Sequence, residues 1–168
     1  MSLEKLGILP LLTGVSIVKG IHNISNILSG LKWPNDIMIS RKKMGGILVE
    51  SRTVKQGLSV VVGIGLNINE SKDEIPKKLQ GQATSLHIES GKEFSRELIL
   101  SSILNEFENL YQHHWHEIIP LWQEYCIHKN DEVTFHSDNK LHQGKFKGIT
   151  NSGYARIQVN GKIEIFSA

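Results

Sequence analysis

Two neighbouring stretches decide how this chain is read: Lys32-Trp33-Pro34-Asn35-Asp36, and Lys43-Met44-Gly45-Gly46-Ile47-Leu48-Val49-Glu50. Proline fixes its own φ and biases Trp33 away from helix, so the first stretch is a stiff, extended turn. A rigid turn can hold Lys32, Asn35 and Asp36 in set directions. Lysine supplies a point charge for a phosphate, Asp36 can hold Mg²⁺ directly or through water, and Asn35 offers both a donor and an acceptor. The same residues equally suit a capped Asx-turn between two strands with Lys32 solvated. Lys43 lies seven residues beyond Asp36, across an expected hairpin whose polar reversal is Ser40-Arg41-Lys42. That spacing can return its ammonium over the Asn35-Asp36 turn, where it would neutralise charge developing on a phosphate. Gly45 and Gly46 allow backbone close to a ligand, or form a β-bulge.

Working outward, apolar residues from Leu11 through Val15, Val18 and Ile21 to Ile27 recur at helical spacing. They predict a buried-face helix from about Pro10, ended by Ser29-Gly30, with Gly14 and Ser16 small enough for close packing. Short strands are expected at Leu31 to Trp33, Ile37 to Ile39 and Gly46 to Glu50, the last two antiparallel. Leu58 to Leu66, nearly all apolar, predicts a central strand buried on both faces. It ends in Gly63-Ile64-Gly65-Leu66-Asn67, whose alternate glycines leave one face bare for a flat ring, with Asn67 able to read an adenine edge. This is not the dinucleotide fingerprint, since the third glycine and distal acid are missing.

Asn67 to Gly91 is loop-rich. A helix N-capped by Ser95 follows, then a second helical piece with Pro120 near its start. From about Lys129 the period changes to two: Asp131 to His136, Gly144 to Ile149, Tyr154 to Val159 and Lys162 to Phe166 predict strands. A reversal is expected at Ser137-Asp138-Asn139-Lys140, and Asn160-Gly161 is a two-residue hairpin signal. His113, His114 and His116 sit too close in sequence to share a metal from one helix. Trp122 and Tyr125 are expected to pack the helix on the β-rich tail, and Cys126 to be a small hydrophobe without a partner.

The 168 residues carry 19 lysines and arginines against 17 acids, a net charge of +2, which argues for no nucleic-acid surface. The lone cysteine favours a reducing compartment. No secretory signal is visible, and no apolar run reaches the roughly 18 residues that span a bilayer, so the cytoplasm is expected, with no membrane partner.

Taken together, Lys32 to Asp36, Lys43 with Gly46 to Glu50, and Gly63-x-Gly65-x-Asn67 occur in the order and spacing of the biotin–protein ligases, or biotin–[acetyl-CoA-carboxylase] ligases. The chain closely resembles that family over nearly its whole length. The resemblance implies an α+β fold: a mixed β-sheet flanked by helices, like the class II synthetases, over residues 1–128, then a small SH3-like β-barrel over 129–168. It implies an enzyme that adenylates biotin with ATP and passes it to a lysine of a biotin carrier protein. On this pattern Lys43 is the catalytic residue and contacts the biotin carboxyl, while Gly46 and Leu48 line the biotin site. Lys32, Asn35, Asp36 and Asn67 match the nucleotide side, with Asp36 also holding Mg²⁺. ATP, Mg²⁺ and a carboxylase's carrier domain are the implied partners, with no bound prosthetic group; a homodimer is compatible. The family's Gly/Arg-rich loop has no counterpart in Met1 to Leu9, and the final strand looks clipped, so a catalytically incomplete chain is expected. A lipoate or octanoyl ligase of the same superfamily, and a non-catalytic module for carrier binding or dimerisation, are the rival expectations.

Overall fold

The computed structural model describes residues 3–55, 57–137 and 140–167. Helix α1 (Leu3–Ser25) is the spine of the fold. It begins seven residues before Pro10, the expected first turn. Proline removes one intrahelical bond, but Leu9 before it and Leu11 and Leu12 after it are all buried, and that packing carries the helix through. Thr13 and Ser16 are also fully buried; their hydroxyls donate to the Leu9 and Leu12 carbonyls at 2.8 and 2.9 Å, which satisfies them without an outside partner. As expected, Gly14 is a close-packing point, since a β-carbon there would come within 3.1 Å of Leu31.

The segment Leu6–Ser25 has a mean hydropathy of 1.3 and is, by length and composition, able to cross a membrane, which corrects the expectation from the run lengths. Here 61% of it is buried inside the fold, as in a core helix.

Strands β1 (Gly30–Lys32), β2 (Asp36–Ile39), β3 (Lys42–Val54) and β4 (Gly57–Leu66) form a meander in the order β1-β2-β3-β4, every ladder antiparallel. Parallel pairing is confined to isolated bridges, Leu31 with Cys126 and Lys43 with Ala83 among them. The β2–β3 turn puts Ser40 and Arg41 at φ of 50° and 61°, the twist a two-residue hairpin needs. β4 is not the predicted central strand. Among the described residues it pairs only with β3, and Val61, Gly63 and Gly65 are exposed. Its valines made it look doubly buried, but burial depends on what lies beyond the edge, which the run does not encode.

Helices α2 (Leu86–Ser90), α3 (Arg96–His113) and α4 (Ile118–Tyr125) follow. Ser95 caps α3 as expected, its hydroxyl accepting from the Leu98 N–H at 3.2 Å. β5 (Glu132–Ser137), β6 (Lys140–Ile149), β7 (Ala155–Val159) and β8 (Lys162–Phe166) form a second antiparallel meander. Asn160 and Gly161 take φ of 50° and 82° at the β7–β8 hairpin, as predicted. The reversal expected at 137–140 lies in part outside the described residues. Among those described, β5 and β8 do not pair, so the tail is an open curled sheet, not the expected closed barrel. The Phe135 and Phe166 rings, 4.7 Å apart between centroids, draw its outer strands together.

One apolar core runs through both sheets. It joins Leu12, Ile17 and Ile21 of α1 to Ile37 and Ile47, to Ile103 of α3, and to Trp122 of α4 with Phe146 and Ile157 of the tail. Core and helices occupy one side of the first sheet, leaving its other face open beyond the tail.

Candidate active site

The pairing register explains which side chains share that open face. Residues directly opposite in an antiparallel ladder point the same way. Lys32 is opposite Asp36, Asp36 opposite Gly46, and Gly46 opposite Gly65; Leu48 is opposite Gly63. Leu31 and Ile37, the alternates, are buried in the core. Lys32, Asp36, Gly46, Leu48, Gly63 and Gly65 therefore lie in rows across one surface.

A bulge in β3 brings Lys43 to the same face. Met38 is opposite Lys43, yet Ile37 is opposite Gly45, so the extra residue, Met44, turns inward and is fully buried. Gly45 is needed there: a β-carbon would collide with the Gly65 carbonyl and with Leu66. Lys43 forms an ion pair with Asp36, at the end of the Lys32–Asp36 row. Its backbone is also locked, the N–H donating to the Gln82 carbonyl at 2.7 Å and the carbonyl accepting from the Thr84 N–H at 2.9 Å.

Lys42, the alternate residue, faces α2, 3.6 Å from Glu89. Burial would raise the Glu89 carboxyl, but the Thr84 and Ser40 hydroxyls and the Lys42 charge outweigh it and hold it below the ordinary range. This anchor fixes the hairpin that carries Lys43. It has no sequence signal, because Ser40 and Glu89 are 49 residues apart.

The glycines make a floor. A β-carbon on Gly65 would meet nothing within 4 Å, and one on Gly63 only the Leu48 backbone and β-carbon at ordinary contact distance. One on Gly46 would touch the end of Lys43 at 3.6 Å. Leu48, 61% exposed, and Val61, 63% exposed, supply apolar surface beside this strip.

Two predicted residues have structural duties as well. The Asn35 amide donates to the Ile47 carbonyl at 2.8 Å, and the Asn35 carbonyl accepts from the Ile47 N–H at 3.0 Å, so Asn35 clamps its turn to β3. The Asn67 amide donates to the Thr84 carbonyl at 3.0 Å, and its N–H to the Met44 carbonyl at 2.8 Å. Asn67 thereby ties the loop before α2 to the bulge beside Lys43. Trp33 donates through Nε1 to the Gly153 carbonyl at 3.1 Å, linking the motif to the tail. A cavity of about 450 Å³ opens at this corner, lined by Trp33, Asn35, Leu48 and Tyr154 among others.

His113 ends α3, and His114 Nδ1 lies 2.9 Å from Glu117. Cys126 is not without a partner: its Sγ is 3.4 Å from His128 Nδ1, in the segment that leads from α4 to the tail. Sequence reasoning did not single out His128. It is 4% exposed, and burial first, then the nearby Lys32 charge, push its pKa down to about 4.

A face built from two lysines, a carboxylate and bare glycine backbone can hold a flat, anionic ligand. The model of the biotin/lipoate A/B protein ligase family matches residues 3–67. The bifunctional ligase/repressor BirA of Bacillus subtilis (strain 168) is 34% identical over 172 residues, covering 99% of this chain and 53% of that protein. The BirA of Bacillus spizizenii is 35% identical with the same coverage. The chain spans about half the length of these curated relatives. Among solved structures, the apo biotin protein ligase from Aquifex aeolicus superposes with a TM-score of 0.85 at 28% identity, over 99% of this chain and 74% of that one. The same enzyme in complex with biotin and ATP gives 0.79 at 27% identity, over 96% of this chain and 68% of that one. Over nearly its whole length the chain is similar to biotin protein ligases, and its residues 3–67 match the biotin/lipoate A/B protein ligase family.

Proposed function

We propose that this chain carries the activating face of a biotin protein ligase, which attaches biotin to a lysine of a carboxylase's biotin carrier domain through biotinyl-5′-AMP. The observation that carries this reading is the Lys43–Asp36 ion pair, set at the end of a glycine-floored strip with Lys32 in the same row. A relative whose structure holds both biotin and ATP superposes on nearly all of the chain, which supports it.

In the first step a biotin carboxylate oxygen attacks the α-phosphorus of ATP and pyrophosphate leaves. Lys43 stands where it can offset charge on the attacking carboxylate and on the phosphate oxygens. Lys32 stands where a second phosphate charge would fall. Gly46, Gly63 and Gly65 let the ligand approach backbone closely, and Leu48 covers its apolar ring. In the second step the carrier's lysine amine attacks the acyl carbon and AMP departs. Asp36 fits a Mg²⁺ shared with phosphates: its side chain lies on the open face, 22% exposed, and Mg²⁺ commonly takes one or two carboxylates plus phosphate oxygens. Bound there, the ion would neutralise phosphate charge. Asn35 and Asn67 act on the nucleotide side chiefly by fixing the turns that flank it.

In this reading residues 1–128 are catalytic-domain structure and 129–168 an SH3-like module built on the open curled sheet. The setting is cytoplasmic, the partners are a carrier domain and, in some states, a second copy, and neither nucleic acid nor membrane is bound.

Relative to MgATP alone, added biotin is expected to raise the melting temperature further, and added lipoate to leave it unchanged. A carrier domain incubated with the chain, biotin and MgATP is expected to gain one biotin by mass. No shift with either acid would overturn the proposal, and a shift with lipoate alone would move the chain to the lipoate or octanoyl ligases.

Gly65→Ala separates ligand contact from folding. Its β-carbon meets open space and its φ is not in the left-handed region, so stability should stay level or rise by up to about 1 kcal/mol. A methyl on the floor should nevertheless weaken biotinyl-adenylate binding by about tenfold or more, roughly the cost of one misplaced methyl group in a close-packed site. Calorimetric titration beside a melting curve checks both halves. Unchanged affinity would show that the ligand does not lie on this strip.

A further inference from the structure

We propose that His128 is a positioning residue for Lys32: its imidazole Nε2 accepts from the Lys32 ammonium and holds that cation in the row shared with Asp36 and Lys43. The inference rests on the nucleotide reading above and names a residue outside the glycine and lysine motifs.

The ring lies in the junction between α4 and β5. It packs on Phe146 with centroids 4.1 Å apart and presents an edge to Trp122 at 6.4 Å. Phenylalanine would suit such surroundings. Yet Nε2 is buried and has no protein partner, and an unmet polar atom in an apolar site is costly. A donor that reaches it removes that cost.

The slot beside the ring, about 270 Å³, is lined by Lys32, Met38, Arg41, Asp131 and Thr134 among others. Arg41 is committed to an ion pair with Asp131 and to the Ile127 carbonyl. Among the described residues the Lys32 side chain has no ion pair or hydrogen bond, so its ammonium is the available cationic donor. The charged groups around the ring are Lys32 from β1, Arg41 from the β2–β3 turn and Asp131 before β5, with the Cys126 thiol beside Nδ1.

Acceptance at Nε2 requires the Nδ1–H tautomer, which the same neighbours allow. Burial pushes the Cys126 thiol up, so its sulfur stays neutral and can accept weakly from Nδ1–H. The Leu31 carbonyl also favours a ring N–H. With the proton on Nδ1 and the ring neutral, the lone pair is on Nε2. Lys32 is on an open face and opposite Asp36; without an anchor its four-carbon stem would sample many directions. An acceptor behind it narrows those directions before a phosphate arrives.

The test uses the whole chain and MgATP as probe. Titration calorimetry should show the dissociation constant rising roughly 5- to 20-fold in His128→Phe, the scale of one hydrogen bond to a charged group. His128→Gln, whose amide oxygen can stand near the position of Nε2, should recover most of that loss. His128→Phe added to Lys32→Ala should cost nothing beyond Lys32→Ala alone. Long-range ¹⁵N–¹H spectra should report the Nδ1–H tautomer in the wild type, a readout that a purely packing role would not dictate. Equal affinity in wild type and His128→Phe, additive losses with Lys32→Ala, or an Nε2–H tautomer would each overturn the proposal. Should His128→Phe fail to fold, the tautomer and the glutamine variant still decide. A wild type that binds no MgATP overturns the nucleotide reading itself, and this inference with it, whereas binding that is indifferent to His128 removes this inference alone.

Discussion

Lys43→Ala is expected to slow biotin adenylation by about 10²- to 10³-fold, the range seen when one preorganised charge or donor is taken from a developing oxyanion. Pyrophosphate release in the presence of biotin and MgATP measures it. The effect should fall on the chemical step, because in the proposed reading Lys43, at the end of the strip, meets the carboxylate and phosphate and not the ring. Asp36 would be left unpaired and facing the incoming phosphates, so the loss should exceed that of removing a distant cation. The fold should hold, since the side chain is 51% exposed and its backbone bonds to Gln82 and Thr84 do not involve the ammonium. Lys42→Ala is the control: one residue earlier, it faces Glu89 and α2, and its rate should stay within about threefold of wild type because a half-exposed ion pair contributes little. Equal rates for wild type and Lys43→Ala would end the assignment of this residue as catalytic.

Trp122→Ala should have the largest effect on stability, about 3–5 kcal/mol by the cost of deleting a buried indole. The side chain is 2% exposed and sits between α4 and the tail, 6.5 Å from the Phe146 ring and 6.4 Å from His128. A domain of this size has a total of roughly 5–15 kcal/mol to lose. Urea unfolding followed by tryptophan fluorescence and by far-ultraviolet dichroism should therefore show a much lower midpoint. The two probes should still coincide, because the core that Trp122 belongs to runs without a break from α1 into β6 and β7. A loss below about 1 kcal/mol would mean that the indole is not the bolt between the two sheets. Separate transitions in the wild type would mean that the tail folds on its own.

The parts of the fold that were legible are those set by local chemistry. Ser95 announces α3 because a side-chain oxygen meets an orphan N–H two or three residues on. Asn160-Gly161 announces its hairpin because both residues accept positive φ. The spacing of Lys32, Asp36, Lys43 and Gly46 announces a shared face because a hairpin with a bulge brings them together. The misreadings are all questions of what lies beyond a strand or turn. β4 was expected in the middle of a sheet, since three consecutive valines say apolar without saying by what they are covered. The start of α1 was placed at Pro10 because the local preference of proline is strong, and packing on both sides overrides it.

The duties of Asn35 and Asn67 show the same divide within the site. Their amides suit a nucleotide by chemistry, yet in the fold they clamp Ile47 and Thr84, residues 12 and 17 positions away. His128 carries no motif, and its place beside Lys32 arises only because the tail folds back to bury it.

By itself, then, the sequence carried the resemblance to the biotin protein ligases and the turns that bring Lys32, Asp36 and Lys43 onto one face, since these depend on side-chain type and short spacing. Only the tertiary structure decided which face stays open, that the tail is an open sheet sharing one core with the helices, and that His128 is buried in a slot shared with Lys32. Those outcomes depend on contacts between residues tens of positions apart, and the chain specifies such contacts collectively, through packing, without marking them at any one position.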